Sequence, residues 1–301
     1  MKDEVLAYIE GHSQEALELL MEIARIPAPS NHEEKRAEFC KGWLEQQGAK
    51  GVYVDEALNV VYPVGVTDDK PLVVFMAHLD VVLPDTEELP LRVENGCIYA
   101  PGVGDDTANL AALLMAAKYI AKNQLISPEY GILLVCNSGE EGLGNLKGSR
   151  KICETYGKNM TAFYTFDGTC SHMVAKAVGS RRYQVEVKTE GGHSYGDFGN
   201  RNAIAMLASM IHEIYKIQVP LRGKTTYNVG MISGGTSVNT IAQQAQMLFE
   251  YRSDDLEDLQ EMEETFRAIV MKYEERGINL EVRLLGERPC GLAKTRQPIG
   301  H

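Results

Sequence analysis

Leu72-Val73-Val74-Phe75-Met76-Ala77-His78-Leu79-Asp80 decides how this chain is read. A short aliphatic run that closes on an imidazole and a carboxylate reads as a buried strand of an α/β sheet, with its polar residues at the carboxyl end. The pattern recurs twice. Gly131-Ile132-Leu133-Leu134-Val135-Cys136 leads into Gly139-Glu140-Glu141, and Ala162-Phe163-Tyr164-Thr165-Phe166 leads into Asp167-Gly168. Between them, Gly104-Asp105-Asp106 stands just ahead of an alanine- and leucine-rich helix expected from about Asn109 to Ile120. Ligands of open α/β sheets bind outside the carboxyl ends of the strands. His, Asp and Glu at successive strand exits are therefore aimed at one crevice, which is the arrangement of a metal site.

Working outward, Leu17, Leu20 and Ile23 repeat at helical spacing and predict one helix from about Glu4 to Arg25. A second helix follows Pro27-Ala28-Pro29-Ser30-Asn31, with Asn31 as its N-cap and Phe39, Trp43 and Leu44 on its apolar side. Short strands are expected at Val52-Tyr53-Val54 and Val60-Val61-Tyr62. Strands alternating with helices predict an α/β domain with a mostly parallel sheet over residues 1–178. Near Gly179 the pattern changes. Tyr183 to Lys188 alternates with period two, a helix runs from about Ala203 to Ile217, and strands lie near Tyr227–Ile232 and Ala245–Tyr251. A charged helix over about Leu256–Glu275 and a strand at Asn279–Leu284 complete a β-α-β-β-α-β order, the ferredoxin-like split unit. Residues 179–286 are thus expected to form a separate inserted α+β domain, and residues 287–301 to begin the return to the first one.

At 301 residues and 44% hydrophobic content the chain has room for two domains with real cores. Its net charge of −12 argues against nucleic acid or an anionic membrane as a partner. No stretch approaches the roughly 18 apolar residues of a membrane span, and Met1-Lys2-Asp3-Glu4 opens no apolar signal segment. The six cysteines (Cys40, Cys97, Cys136, Cys153, Cys170 and Cys290) contain no CxxC pair and read as reduced core thiols of a cytoplasmic protein.

His78 and Asp80, two apart on an extended backbone, point to the same side. His78 is then a metal ligand and Asp80 the carboxylate that accepts its other ring proton; an isolated His-x-Asp is more often a strand-end histidine with a local hydrogen bond. Asp105 is the candidate carboxylate bridging two ions about 3.5–4 Å apart, with helix capping as the plain alternative. Asp106 is given the cap. Adjacent Glu140 and Glu141 face different directions at a strand end, so one can ligate while the other takes a proton from a metal-activated water. Asp167 is the fourth strand-end ligand. Imidazole and carboxylate donors without thiolate suit zinc, with manganese or cobalt as alternatives.

The chain resembles the dizinc aminoacylase and carboxypeptidase-like metallopeptidases, which include peptidase T, succinyl-diaminopimelate desuccinylase and carboxypeptidase G. His78-x-Asp80, Gly104-Asp105-Asp106, Glu140-Glu141 and Asp167-Gly168 match that family's motifs in order, over nearly the whole chain. The resemblance implies two Zn2+ ions: His78 and Asp167 hold one, Asp105 bridges, and Glu141 holds the other. It implies Glu140 as general base, with Asp80 behind His78. Thr107-Ala108-Asn109 stands where the family has Lys or Asn-Lys, a departure that removes no ligand. Gly191-Gly192-His193-Ser194 resembles the segment whose histidine, in dimeric members, stabilises the oxyanion in the partner's active site. Ser237-Val238-Asn239 and Arg252 resemble residues that bind the scissile carbonyl region and the substrate carboxylate. Taken without the resemblance, His193, Asn239 and Arg252 are an ordinary loop histidine, turn asparagine and strand arginine.

What the resemblance implies is a cytoplasmic, zinc-dependent peptidase of the peptidase T kind. It would hydrolyse an amide bond in a short peptide, as a homodimer paired through the inserted domain. Deacylation or desuccinylation of an N-acyl amino acid is the rival with the same ligands. Family members continue beyond the inserted domain with a further piece of the catalytic domain that supplies a histidine to the Glu141 ion. This chain stops at Gln297-Pro298-Ile299-Gly300-His301, and His301 lacks the surrounding pattern, so that role is not given to it. A shortened chain with an incomplete second ion site is therefore expected, and a non-catalytic remnant that binds peptide or dimerises is the further alternative.

Overall fold

A computed structural model describes residues 3–169 and 171–292. Cys170 and residues 293–301, with His301, lie outside the described residues. The chain divides into two compact units between His172 and Met173.

The first unit opens with α1 (Asp3–Gly11), α2 (Ser13–Arg25) and α3 (Glu34–Gln46). The single helix expected over residues 4–25 is two. Gly11 carries the greatest backbone entropy cost in a helix, and His12 leaves helical geometry at φ −115° while its Nδ1 meets the Tyr8 carbonyl at 2.8 Å. Asn31 is not an N-cap. It sits at φ 74°, ahead of the helix, and Glu33 occupies the cap position of α3.

Next come β1 (Tyr53–Val54), β2 (Val60–Val64), β3 (Leu72–His78), β4 (Arg92–Glu94) and β5 (Cys97–Tyr99). They are followed by α4 (Ala108–Lys122), β6 (Gly131–Asn137), α5 (Lys147–Tyr156) and β7 (Met160–Thr165). The sheet order is β1-β2-β6-β3-β7. β3 runs parallel to both β6 and β7, but β2 is antiparallel to β6 and to β1. The sheet is mixed, which corrects the mostly parallel expectation. Only antiparallel strands can be joined by a tight turn. Asp55 builds that turn between β1 and β2, its Oδ1 accepting the Ala57 and Asn59 amides at 2.9 Å each.

Period-two burial sends alternate side chains to opposite faces. Val60, Tyr62, Ala77, Leu134 and Cys136 pack with Leu19, Ile23, Cys40, Leu44, Leu110 and Leu114 of α2, α3 and α4. Val61, Val74, Met76, Leu133 and Val135 form a second cluster with Ile152 of α5. In this unit a hairpin and a helix were not foreseen. The β4–β5 hairpin turns on Asn95-Gly96, both at positive φ (52° and 77°), the usual signature of a tight hairpin turn. The helix α5 was hidden by its sparse apolar content.

The second unit contains β8 (Lys176–Ala177), β9 (Gly179–Lys188), β10 (Gly192–His193), α6 (Ala203–Ile214), β11 (Thr225–Gly234) and β12 (Thr240–Ile241). Then follow β13 (Gln244–Ser253), α7 (Leu256–Glu274), β14 (Asn279–Arg288) and β15 (Gly291–Leu292). Its main sheet is antiparallel in the order β11-β13-β9-β14. With one helix after β9 and one after β13, this is the ferredoxin-like split topology. The helix expected to reach Ile217 ends at Ile214. Tyr183, Val185, Val187, Met247, Phe249 and Tyr251 pack with Leu207, Met210, Met262 and Phe266 of the helices.

Cys40 and Cys136 are buried free thiols, as expected, but Cys97 and Cys153 are exposed, because their strand and helix are peripheral. No helix among the described residues is long and apolar enough to cross a membrane.

Candidate metal centre

Register places the polar strand ends side by side. His78 closes β3 opposite Asn137 of β6, and Met76 pairs with Thr165 of β7. Glu140-Glu141 and Asp167 therefore leave the sheet beside His78. The His78 imidazole is only 2% exposed. Its Nε2 lies 3.1 Å from Asp105 Oδ1. Its Nδ1 lies 2.9 Å from the Asp80 carbonyl oxygen and 3.5 Å from Asp80 Oδ1. The expected carboxylate partner is thus the farther of two acceptors on one residue. With both acceptors on Nδ1, that nitrogen carries a proton, and Nε2 is the atom that faces the Asp105 carboxylate.

The Asp80 carboxylate is turned elsewhere. Oδ1 accepts the Glu140 amide at 3.0 Å, and Oδ2 accepts the Glu141 amide at 2.9 Å and the Ser30 hydroxyl at 2.7 Å. Asp106 is not a cap either. Its buried Oδ2 accepts the His78 amide at 3.0 Å and its Oδ1 accepts Asn109 Nδ2 at 2.5 Å. Asn109 Nδ2 also donates to the Gly168 carbonyl at 3.1 Å, tying the start of α4 to the Asp167 turn.

One donor atom each from His78, Asp105 and Glu141 lie within 4.8 Å of one another, and the same holds for His78, Glu140 and Asp167. All five expected centre residues thus gather around a single imidazole. Burial and crowding perturb the titrations of Glu141, Asp106, His78 and Asp80. Burial raises the Glu141 carboxyl, and the charges of Glu140 and Asp105 add to the rise. Burial first, with the charge of Asp167, carries Asp106 up to about 7 against its bonds to Asn109 and His78. Burial would lower the His78 pKa, but the hydrogen bond and charge of Asp80, with the charges of Asp106 and Glu140, hold it at about 10. Burial would raise Asp80, but hydrogen bonds from His78, Ser30 and the Glu141 amide keep it below its usual value.

In the second unit, β10 pairs with β12, so that His193 faces Thr240 and the Ser194 amide donates to the Asn239 carbonyl at 3.0 Å. His193 and Asn239 are brought together. A cleft of about 450 Å³ beside them is lined by Gly192, Gly235, Thr236, Thr240 and Gln244. The Tyr195 and Gly196 amides both donate to His193 Nδ1 at 3.2 Å. Nδ1 is therefore the acceptor, and the neutral ring presents Nε2–H. Arg252 is not part of that cluster. It stands at the far end of β13 from Gln244, eight residues or about 26 Å along the strand. Its guanidinium meets Glu250 at 3.1 and 3.2 Å.

Residues 74–284 match the family model described as peptidase family M20/M25/M40. The chain belongs to this family. Among curated relatives, a probable carboxypeptidase of Ajellomyces capsulatus is 26% identical over 262 residues, covering 77% of this chain and 59% of that protein. Succinyl-diaminopimelate desuccinylase of Corynebacterium glutamicum is 26% identical over 251 residues, covering 81% of this chain and 67% of the relative. The fold matches that of a tripeptidase from Staphylococcus aureus with a TM-score of 0.72 at 22% identity, covering 95% of this chain and 79% of that one. The chain spans no more than about two thirds of the length of the curated relatives it matches.

The donor set of this M20 chain fits divalent ions. Two donors each about 2.0–2.1 Å from one ion at a tetrahedral angle stand about 3.3 Å apart, and His78 Nε2 to Asp105 Oδ1 is 3.1 Å. Buried polar groups that local sequence did not reveal frame the centre. The fully buried Arg36 donates to the Leu79 carbonyl at 2.7 Å and to the Ile26 carbonyl at 2.6 and 3.1 Å. The fully buried Glu33 accepts the Gly139 amide at 2.9 Å and Lys147 Nζ at 2.7 Å. Pro29 bridges to Val81 in parallel, and the Val81 amide donates to the Ala28 carbonyl at 2.9 Å. The segment Pro27 to Asn31, from which only a helix cap was expected, is thus part of the wall of the centre.

Proposed function

We propose that this chain is a zinc-dependent hydrolase of the peptidase T kind that cleaves an amide bond in short peptides. The observation that carries the reading is the convergence of His78 with Asp105 and Glu141, and with Glu140 and Asp167, at the carboxyl ends of three neighbouring strands. His78, Asp105, Glu141 and Asp167 would hold the ions, zinc first and manganese or cobalt as alternatives. When bound, the ions supply Lewis acidity for the scissile carbonyl and acidify a water. Glu140, partly exposed beside the ligands, takes that water's proton and passes it to the leaving amine. Asp80 holds the Glu140 and Glu141 amides, so it orients both side chains as well as the His78 ring. On the resemblance of their segments, His193, with Nε2–H outward, and Asn239 are assigned as donors for the developing oxyanion and the carbonyl region. Arg252 is the carboxylate clamp on resemblance alone. Pairing of two copies through residues 179–286 rests on the resemblance of the His193 segment, and a cytoplasmic location rests on cysteine usage.

The desuccinylase among the relatives favours a second reading, in which the same centre removes an acyl group from an amino acid. One experiment tests both. The chain is dialysed against a strong chelator, titrated with zinc, and assayed on di- and tripeptides in competition with N-acetyl and N-succinyl amino acids. Turnover of peptides that returns with zinc supports the first reading, and turnover of acyl amino acids alone supports the second. Activity indifferent to metal removal contradicts both, and bound metal without turnover of any substrate supports a non-catalytic binding protein.

A further inference from the structure

Three successive amides at the exit of β6 end on buried carboxylates. Gly139 donates to Glu33, and Glu140 and Glu141 donate to Asp80. Glu33 is fully buried, 106 residues away from Gly139, and no step of the proposed chemistry uses it. Its Oε1 accepts the Asn31 and Gly139 amides at 2.9 Å each, and its Oε2 accepts Lys147 Nζ at 2.7 Å. Lys147 opens α5, whose first turn holds the other side of the same loop. The Leu146 amide donates to the Gly139 carbonyl at 2.8 Å, and the Gly148 amide to the Ser138 carbonyl at 3.1 Å. Next to Glu33, Ser30 Oγ donates to Asp80 Oδ2 at 2.7 Å and to the Glu141 carbonyl at 3.2 Å.

We propose that Glu33, held by Lys147, is a positioning residue that sets the Ser138–Gly139 peptide plane at the start of the loop and so aims the Glu140 and Glu141 carboxylates at the His78 centre. The argument is geometric. Asp80 constrains the two glutamate amides from one side only. Rotation about the Gly139 backbone would swing both side chains, and glycine offers little resistance to it. Leu146 holds the plane that follows Gly139 by its carbonyl, and the fully buried Glu33 carboxylate holds the plane that precedes it by the Gly139 N–H, so together they fix the turn.

The inference rests on the metal reading above, and the experiment separates the two. Wild type, E33Q and K147M are loaded with Co2+, their visible spectra and Co2+ stoichiometry are recorded, and kcat and KM are measured on the peptide panel. Glutamine keeps an acceptor for the amides and loses the ion pair. K147M leaves the buried carboxylate in place and serves where E33Q does not fold. Expected are wild-type stoichiometry, an altered Co2+ spectrum and a kcat lower by about 10–100-fold with KM little changed, the range for partners that orient ligands. Folded variants with the wild-type spectrum and kcat overturn the proposal, and so does a lowered Tm alone, which a merely structural role would produce. A wild type that binds no Co2+ overturns the metal reading itself, and this inference falls with it.

Discussion

His78 Nε2 and Asp105 Oδ1 stand 3.1 Å apart, with His78 Nδ1 turned to the Asp80 carbonyl. Nδ1 keeps its proton on Asp80, so Nε2 and the Asp105 carboxylate face each other across a space that holds either one proton or, when the proton leaves, a divalent cation.

Zinc should therefore stabilise the first unit against heat. At about 100 times Kd, binding to the folded state alone contributes about 2.7 kcal/mol, a rise in Tm of about 5–10 °C for a unit of this size. Scanning calorimetry with and without zinc measures it. H78A should lose most of the rise, and an equal rise in H78A would remove His78 from the centre.

Glu140 and Glu141 are adjacent and should fail differently. E140Q is expected to keep its metal and lose about 10²–10⁴-fold in kcat, the range for a missing general base. E141Q is expected to lose metal content, read by elemental analysis after gel filtration. The reverse pattern would exchange their roles.

His193 presents Nε2–H because its Nδ1 accepts the Tyr195 and Gly196 amides. H193A should lower kcat by about 10²–10³-fold, as for loss of an oxyanion donor, with zinc content unchanged. A change confined to KM would show that the ring binds substrate without acting in the transition state.

Gly139 adopts φ 63°, and a Cβ there would lie 2.6 Å from Lys147 Cγ and 3.1 Å from the Gly144 carbonyl. G139A should destabilise by about 1–3 kcal/mol, measured by urea unfolding. A neutral result would mean that the loop relaxes at no cost.

In the second unit, Glu263 joins both faces of a polar network. Tyr183 donates to its Oε2 at 2.5 Å, Arg267 to its Oε1 at 2.7 Å, and Arg181 lies 3.2 Å from Oε2, with Tyr251 also bonded to Oε2. Burial works to raise its pKa, but these hydrogen bonds depress it to about 2, from an ordinary value of 4.5. A depressed carboxylate contributes stability that is complete above its unfolded pKa and is lost as pH falls through the folded one. The loss should fall between about pH 4.5 and 2, on the order of 2 kcal/mol after allowing for solvent screening. E263Q should lack that pH-dependent portion in acid unfolding. Parallel curves for the two proteins would remove Glu263 as its source.

The sequence by itself determined the strands at 72–78 and 131–137, the amphipathic helices, the change of pattern near Gly179 and the strand-end positions of His78, Glu140, Glu141 and Asp167. Apolar runs and their periods are local properties, and a residue following such a run must emerge at the strand end. Even local signals were missed where they were brief, as at Asn95-Gly96. Tertiary structure alone decided that β2 runs antiparallel on β6, that the Asp80 carbonyl is closer to His78 than its carboxylate, and that Asp106 bonds the His78 amide. It also decided that Ser30, Glu33, Arg36 and Lys147 wall the centre. Those choices are hydrogen bonds between groups as far as 114 residues apart, as for Lys147 and Glu33. A buried polar group must find its partner wherever the packed chain brings one, and neighbouring residues carry no mark of where that is.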